Sequence, residues 1–406
     1  MTEAIGVEPE CPFTPAVLKK VVYAGSQSAS FVGATKDLAA LAELSVSRER
    51  VQRWTKRVGR ERSVEVQAAA AAYQALPLPE QGRTPHGRAP QVACVEMDGG
   101  RVQVRPRKDA PRQDNAKGHW RETLVGSLLS MTSEEHLQDP CPVIPKTFVD
   151  PQRMANLSRE IKGFCSAVED REDPTEEPPE DRPGRPKVLV RSVVATREGV
   201  ETFGPRLIAA AHARGFNAAR RKAFVSDGSA TNWGVHRKYF SHYTPILDFT
   251  HAICYVYAAA MAGRSCVEGR EAYCRWAQWL WEGNTQALIA ALEARSDELG
   301  TPEEGDPETC PRWVVAEALR YVTNQRSRMK YGEYRRLGLP LTSSHVESTI
   351  KQVNRRIKGT EKFWDQGVEP LLQLVADYLS ETPDFPRFWK QRPRQIKTTR
   401  HYQTAA

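Results

Sequence analysis

Hydrophobic residues recur at helical spacing near the start of the chain and predict two short helices joined by a turn over residues 36–58. Ser47 can N-cap the second helix, in which Val51, Trp54 and Val58 fall on one side. This pattern is typical of a helix-turn-helix, whose second helix would lie in the major groove of DNA. An ordinary helical hairpin with a solvated basic face accounts for the same pattern, and this segment leaves both interpretations open.

The polar face of the second predicted helix is basic. Arginine and glutamine side chains can hydrogen-bond to the edges of bases in the major groove. If the helix binds DNA, we expect the contacts to come from its arginines and its glutamine, namely Arg48, Arg50, Gln52, Arg53 and Arg57.

Beyond a connector rich in proline, glycine and arginine at residues 77–90, the hydrophobic pattern alternates, which predicts strands. Two of these strands flank Asp98-Gly99-Gly100, and an Asp-Gly pair between alternating segments is a common hairpin turn. Residues 249–335 return to helical spacing. The predicted strands cover residues 92–97, 101–104, 120–131, 187–195 and 222–226, and a further helix covers 205–214.

The composition is that of a largely globular protein, since 40% of the 406 residues are hydrophobic and 27% are charged. Lys and Arg exceed Asp and Glu by 8. No run approaches about 18 apolar residues, and the first residues lack both a basic start and an apolar core. We therefore expect neither a membrane span nor a signal peptide. The eight cysteines include no CxxC pair, which argues against a disulfide scaffold or zinc fingers and favours reduced thiols in the cytoplasm.

Three acidic residues fall where strands end or a helix begins, and each has two interpretations. Asp98 either turns a hairpin or carries chemistry at the end of a strand. Asp227 follows the apolar strand AFVS and either caps the next helix or belongs to a site. Glu347 either closes a capping box with Ser344 or belongs to a site, as the first residue of a polar row along one helix face.

Glu347 shares one helix face with two lysines, Lys351 and Lys358, and with Asn354. A carboxylate at the head of a row of cations suits a metal site beside a phosphate backbone, so Lys351 and Lys358 are further candidates for DNA contacts. Two or three carboxylates brought together would bind Mg²⁺, which prefers oxygen ligands. Two such ions can assist an in-line phosphoryl displacement. Spacing alone does not bring these acids together.

Three long segments resemble bacterial insertion-sequence transposases of the DDE class, near the Mutator-like superfamily. These segments are KAFVSDGSATNWGVHRKYF, TPILDFTHAICYVYAAA and LTSSHVESTIKQVNRRIKGTEKFW, and VACVEMDGGRVQVRPR and HWRETLVGSLL resemble the same family. The resemblance covers roughly residues 90–380. It implies an α/β fold with an RNase H-like mixed sheet flanked by helices, together with an all-helical insertion before the last catalytic helix.

The resemblance assigns Asp98, Asp227 and Glu347 as the catalytic residues that hold two Mg²⁺ ions, which Mn²⁺ can replace. Asp227 follows Asp98 by 129 positions, and Glu347 follows Asp227 by 120. Asp248 and His251 match an accessory D-x-x-H signature of the family. From the residues alone, Asp248 could equally cap a helix and His251 could be an ordinary hydrogen-bonded helix histidine. We expect both to support the site rather than bind the metal.

The patterns and the resemblance together predict six regions. These are a helical DNA-binding region (1–76), a linker (77–90), the first part of the catalytic domain (91–248) with a disordered acidic loop at 169–186, a helical insertion (249–338), the final part of the catalytic domain (339–380) and a basic C-terminal tail (381–406).

The resemblance also implies a function. The expected activity is metal-dependent cleavage and strand transfer of double-stranded DNA, at the terminal inverted repeats of the element and in target DNA. The expected protein is a homo-oligomer of the bacterial cytoplasm that associates with the nucleoid and not with a membrane. Two alternatives remain open: a transposase-derived DNA-binding protein that no longer cuts, and a metal-dependent nuclease without strand transfer.

Overall fold

The fold was analysed in a computed structural model. The structure describes residues 11–85, 89–104, 120–164, 184–359, 362, 364 and 367–392. The predicted disordered loop at 169–186 falls outside these residues except for its last three positions, and the tail beyond residue 392 also falls outside them.

A five-stranded mixed sheet forms the centre of the fold, in the order β3-β2-β1-β4-β5. Strand β1 pairs antiparallel with β2, which pairs antiparallel with β3, whereas β1–β4 and β4–β5 are parallel. The predicted α/β class is therefore confirmed. The strands are β1 (Val92–Gln103), β2 (Trp120–Thr132), β3 (Lys187–Thr196), β4 (Arg221–Ser226) and β5 (Thr244–Leu247).

Helices precede, flank and interrupt this sheet. In chain order they are α1 (Pro15–Gln27), α2 (Phe31–Ala42), α3 (Arg48–Ala75), α4 (Leu78–Gln81), α5 (Pro151–Lys162), α6 (Val200–Ala213), α7 (Ala230–Tyr239), α8 (Phe249–Met261), α9 (Cys266–Glu282), α10 (Thr285–Leu299), α11 (Pro311–Gln325), α12 (Tyr331–Arg336), α13 (Ser344–Ile357) and α14 (Val368–Leu379). No helix in the described ranges is both long and apolar enough to cross a bilayer.

Strand β1 corrects one prediction from the sequence. The Asp98-Gly99-Gly100 segment is not a hairpin turn, because β1 continues through it and pairs with β2 along its whole length. Asp98 lies opposite Val125 in this register. Pairing with a distant strand outweighs the local turn preference of Asp-Gly. Gly100 suits the close approach of the two strands, since a Cβ there would lie 2.8 Å from Thr123 Oγ1.

The two faces of the sheet are covered by different helices. Gly126 of β2 faces Phe203 and Leu207 of α6. Its neighbour Val125 points to the opposite face and packs in one buried cluster with Val346 of α13 and Ala376 of α14. Helix α13 therefore lies directly against β1 and β2, close to the strand that carries Asp98.

The N-terminal helices share a core with the C-terminal part of the chain. Helix α3 extends to Ala75, well beyond the predicted end at residue 58. Trp54 of α3 is buried in a cluster that includes Leu374 of α14 and Phe388, which lies in a helical segment at residues 384–392. Arg62 of α3 also pairs with the buried Asp377 of α14, at 3.1 Å. The start of the predicted basic tail therefore packs against the N-terminal helices.

The helical prediction for residues 249–335 is confirmed, because α8 to α12 occupy this stretch between β5 and α13. Local sequence signals explain the boundaries of these helices. Ser265 and Glu268 form a capping box at the start of α9, and Gly283 ends that helix in the left-handed conformation.

Candidate active site

The parallel pairing of β1 with β4 brings Asp98, in the middle of β1, towards Asp227, directly after β4. Glu96 of β1 pairs with Val225 of β4, and this register, extended by two positions, sets Asp98 opposite Asp227. The buried Asn232 links the two strands, donating from Nδ2 to Met97 O at 3.3 Å and to Asp227 Oδ1 at 3.0 Å. Two acids that are 129 positions apart in sequence therefore lie where the pairing of the central strand β1 with β4 ends.

Glu347 lies in the first turns of α13, and the capping box predicted for it does not form. The helix begins after Ser343, and Ser343 makes no side-chain capping bond. Glu347 is thus one position too far along the helix for the capping role, and its half-buried carboxylate remains available to the site.

Two carboxylates from other elements cap α13 instead. Glu96 of β1 accepts a hydrogen bond from Val346 N at 2.8 Å. Asp248, directly after β5, accepts one from Ser343 N at 2.6 Å and another from Ser343 Oγ. Because the exposed N–H groups of a first turn favour nearby carboxylates, this arrangement fixes the helix that carries Glu347.

Asp248 also caps α8, as one of its two sequence interpretations predicts. Its Oδ1 accepts hydrogen bonds from Thr250 N at 2.5 Å and His251 N at 3.1 Å. Asp248 is fully buried, and both of its oxygens are engaged. Burial alone would raise its pKa, but the adjacent His251 and the bonds from Ser343 hold the pKa below its usual range. Asp248 therefore joins the start of the helical insertion to α13.

His251 lies between two of the site carboxylates. Its Nδ1 is 3.7 Å from Asp248 Oδ1 and 3.9 Å from Glu347 Oε1, which are ion-pair distances. In the described part of the chain, ligand-type atoms of Asp248, His251 and Glu347 all lie within 4.8 Å of one another. Burial by itself would lower the pKa of His251, but Asp248, Asp227 and Glu347 outweigh it and raise the pKa to about 9. At neutral pH this histidine is an imidazolium that offsets the negative charge of the site.

Two of the three acids that the sequence singles out are affected by the charges of nearby carboxylates. Burial, followed by the carboxylate of Asp227, raises the pKa of Asp98 to about 6. Burial and the charge of Asp248 raise the pKa of Glu347, with a further contribution from Asp98. Burial and like charges held close together both raise the pKa of a carboxyl group. A bound cation would relieve this repulsion.

The oxygens that remain open indicate how a metal could be held. Hydrogen bonds occupy Asp227 Oδ1 and Asp98 Oδ1, and the second oxygen of each has no protein donor among the described residues. The carboxylate of Glu347 is likewise open to ligands. In the metal-free protein, the proton on His251 and the hydrogen bonds to Asp248 would compete with a cation for these two side chains. The donor set is therefore one of carboxylate oxygens, which fits Mg²⁺ or Mn²⁺.

The helical insertion holds the loop that carries Asp227. Tyr321 of α11 donates from its hydroxyl to Asp227 O at 2.7 Å, and Gln325, one turn later, donates to Gly228 O at 3.1 Å. The ring of Tyr321 stacks on Tyr255 of α8 at a centroid distance of 3.7 Å. Helix α11 thus holds the Asp227 loop, and its Tyr321 packs on α8.

The residues predicted to bind DNA through α3 lie near the N-terminus of that helix. Arg50 and Arg53 are exposed, and Gln52 is half-buried. Arg48 pairs with Glu49 at 3.0 Å. Arg57 lies over the ring of Trp54 and pairs with Glu61 at 3.4 Å.

The two lysines predicted to contact DNA lie on α13 and just after it. Lys351 is exposed and pairs with Glu160 at 3.2 Å. Lys358 is also exposed, and its Nζ lies 5.8 Å from the ring centre of Trp120.

Sequence reasoning missed several residues that shape the site. Glu96 had a visible signal, because an acid inside the apolar run VACVEM lies two positions before Asp98 and hence on the same face of the strand. Asn232, Tyr321 and Ser343 had no comparable signal, since their roles depend on contacts between distant segments.

No family model and no curated protein matches this chain. The functional proposal therefore depends on the geometry of the site and on the motifs of the sequence.

Proposed function

We propose that this chain is a DDE transposase of an insertion sequence, which binds the ends of its element, cleaves DNA with divalent metal and transfers the cut strand to target DNA. The observation that carries the proposal is the placement of Asp98 on β1, of Asp227 directly after its parallel neighbour β4, and of Glu347 on α13, which packs against β1. These acids lie 129 and 120 positions apart in sequence, yet the charge of Asp227 acts on Asp98 and that of Asp98 acts on Glu347.

We infer that the sheet is an RNase H-like core. The support is a mixed five-stranded sheet with helices on both faces, an acid on the central strand β1, a second acid after its parallel neighbour β4 and a third on α13. The helical stretch between β5 and α13 corresponds to the insertion that the family resemblance implies.

The catalytic acids of the proposal are Asp98, Asp227 and Glu347, which would hold two Mg²⁺ ions, or Mn²⁺ in their place. Divalent ions at such a site activate the attacking oxygen and stabilise the leaving oxygen of an in-line phosphoryl displacement. The protein's own residues orient and balance the site. Asn232 fixes Asp227 relative to β1, and the His251 imidazolium offsets carboxylate charge.

Recognition of DNA is proposed for the N-terminal helices. Helices α2 and α3 are joined by residues 43–47, and the exposed Arg50 and Arg53 lie just beyond this junction. These features support a helix-turn-helix in which Arg48, Arg50, Gln52, Arg53 and Arg57 contact the element ends. We further propose that the protein acts as a homo-oligomer on paired ends in the bacterial cytoplasm.

The test is incubation of the full chain with Mg²⁺ and duplexes that carry the native element ends, scored separately for cleavage and for joining to target DNA. The proposal predicts both products. Glu293→Gln, an exposed residue of α10, is a matched control that should retain both. Cleavage without joining would instead indicate a nuclease, and specific binding without cleavage would indicate a transposase-derived DNA-binding protein.

A further inference from the structure

One face of helix α11 is directed towards the loop that carries Asp227. Glu317, Tyr321 and Gln325 recur at intervals of four residues along this helix, so their side chains lie on the same face. The first of them pairs with Lys162 of α5 at 2.8 Å, and the other two donate hydrogen bonds to backbone carbonyls of the loop. We call these three residues the α11 face.

The backbone of the Asp227 loop has a conformation that needs support. Gly228 has a φ of +100°, in the region that favours glycine, and a Cβ there would lie 3.1 Å from Tyr321 Cε2. Tyr321 donates to the carbonyl of Asp227 at 2.7 Å, and Gln325 donates to the carbonyl of Gly228 at 3.1 Å. These carbonyls belong to the peptide groups on either side of Gly228. Rotation of either peptide group would therefore break one of the two hydrogen bonds.

The side chain of Asp227 is restrained as well as its backbone. Its Oδ1 accepts hydrogen bonds from Ser229 N and from Asn232 Nδ2, both at 3.0 Å. In the described part of the chain, Oδ2 has no such donor and remains open to a ligand. Asn232 thus fixes the carboxylate, while the α11 face fixes the backbone from which the carboxylate projects. Both contacts set the direction of the open oxygen.

The ring of Tyr321 is itself held in place by other elements. It stacks on Tyr255 of α8, with the ring planes 6° apart and the centroids 3.7 Å apart. The Nζ of Lys162 lies 3.8 Å from the centroid of the Tyr255 ring, an attractive contact because the face of an aromatic ring is negative. Since Lys162 also pairs with Glu317, the contacts run from α5 to α8 and to α11. The hydroxyl of Tyr321 is therefore oriented before any ligand binds.

We propose that Tyr321 is a positioning residue of the metal site, which keeps the open oxygen of Asp227 directed towards a bound divalent cation, with Gln325 in a supporting role. The inference rests on the proposed function for the presence of the metal. Residues that orient a metal ligand raise the affinity for the metal, because the ligand does not have to be ordered when the metal binds. The helical insertion therefore contributes to metal affinity through α11 without supplying a ligand from that helix.

The test is the binding of Mn²⁺ alone to the full chain without DNA, measured by electron paramagnetic resonance. Tyr321→Phe keeps the stacked ring and removes only the hydroxyl, and we expect its affinity for Mn²⁺ to fall by about tenfold. Gln325→Leu should also lower the affinity. The matched control is Tyr334→Phe in α12, which likewise loses a tyrosine hydroxyl bonded to a backbone carbonyl, that of Pro245 at 3.2 Å. This control should bind Mn²⁺ with wild-type affinity.

Metal-free unfolding by urea separates positioning from a general loss of structure. Tyr321→Phe and Tyr334→Phe should lose similar stability, because each removes one hydroxyl donor from a backbone carbonyl, yet only the first should bind Mn²⁺ more weakly. Wild-type affinity in Tyr321→Phe, or an equal loss in Tyr334→Phe, would overturn this inference and leave the proposed metal site in place. A wild-type protein that binds no Mn²⁺ would overturn the metal site and this inference together.

Discussion

The carboxyl group of Glu96 on β1 accepts a hydrogen bond from the backbone N–H of Val346, at 2.8 Å, next to the residue that supplies the third acid of the site. Glu96 is fully buried, and burial raises the pKa of this carboxyl well above its usual range. Within the described residues, its Oε1 has no hydrogen-bond partner. Glu96 therefore serves as a buried acceptor that links the central strand to α13.

Replacing this acceptor gives a direct prediction. Glu96→Gln keeps a carbonyl oxygen for Val346 N, so we expect near wild-type stability and metal response. Glu96→Leu leaves the buried N–H without an acceptor, which costs about 1–3 kcal/mol of unfolding free energy. The leucine variant should also need more Mg²⁺ for half-maximal cleavage, because Glu347 is no longer held in place. Urea denaturation and a Mg²⁺ titration of cleavage measure the two effects. Equal behaviour of both variants would show that the hydrogen bond does not position Glu347.

Binding of Mg²⁺ should depend on pH through Asp98. The pKa of this carboxyl is raised to about 6, by burial and by Asp227, so in the metal-free protein it is half protonated near that pH. A proton and a cation compete for the same oxygens. The affinity for Mg²⁺ should therefore rise from pH 5 to 7 and fall by up to about tenfold per unit below pH 6. Calorimetric titration measures this dependence. In Asp98→Asn the affinity for Mg²⁺ should be lower and nearly independent of pH over the same range. If the affinity of this variant still depends on pH, the competing proton is bound by another group.

The stability of the metal-free protein should decrease in alkali through His251. Its pKa is about 9 in the folded protein and about 6.5 in an unfolded chain, so the folded state binds this proton more tightly. The resulting stabilisation is fully present below about pH 6.5 and is lost as pH rises through 9. Its upper limit is about 3 kcal/mol at low pH. Unfolding free energies of wild type and His251→Gln should differ most at pH 6 and converge near pH 10. A constant difference across this range would show that the histidine is not charged in the folded state.

Neutralising the cations at the start of α3 should weaken DNA binding. For the variant Arg50→Ala, Arg53→Ala and Arg57→Ala combined, we expect lower affinity for element ends and a salt slope reduced by up to about three units. Arg57 also packs on Trp54 and pairs with Glu61. The double variant Arg50→Ala and Arg53→Ala keeps Arg57, so it tests DNA contact without disturbing this packing. An unchanged slope in both variants would assign this helix a structural role.

The spacing of hydrophobic residues predicted helices and strands well where this spacing depends on the conformation of a single element. The strands at 120–131, 187–195 and 222–226 and the helical stretch at 249–335 are present with small changes in their ends. The hairpin turn predicted at Asp98-Gly99-Gly100 is wrong. The turn preference of Asp-Gly is a local property, whereas β1 continues through this segment because it pairs with β2. The shared core of α3, α14 and residues 384–392 could not be predicted, since it depends on contacts between the two ends of the chain.

The sequence marks the candidate acids but not the contacts that hold them in place. A carboxylate after an apolar strand is a signal in the sequence, and Asp98 and Asp227 both carry it. The capping-box pattern at Glu347 was misleading, because Glu96 and Asp248 satisfy the first turn of α13 from elsewhere. No local pattern encodes such contacts between elements.

The central claim is that Asp98, Asp227 and Glu347 act as one metal-holding unit, and the cleavage rate of Glu347→Gln on native element ends at saturating Mg²⁺ tests it most directly. Glutamine keeps the shape of the side chain but removes the charge that helps to hold a cation. We predict folding and DNA affinity close to wild type, a cleavage rate lower by at least about 100-fold, and little further loss when Asp98→Asn or Asp227→Asn is added. Cleavage by Glu347→Gln at close to the wild-type rate, with Glu293→Gln as the unaffected control, would contradict the assignment of the three acids.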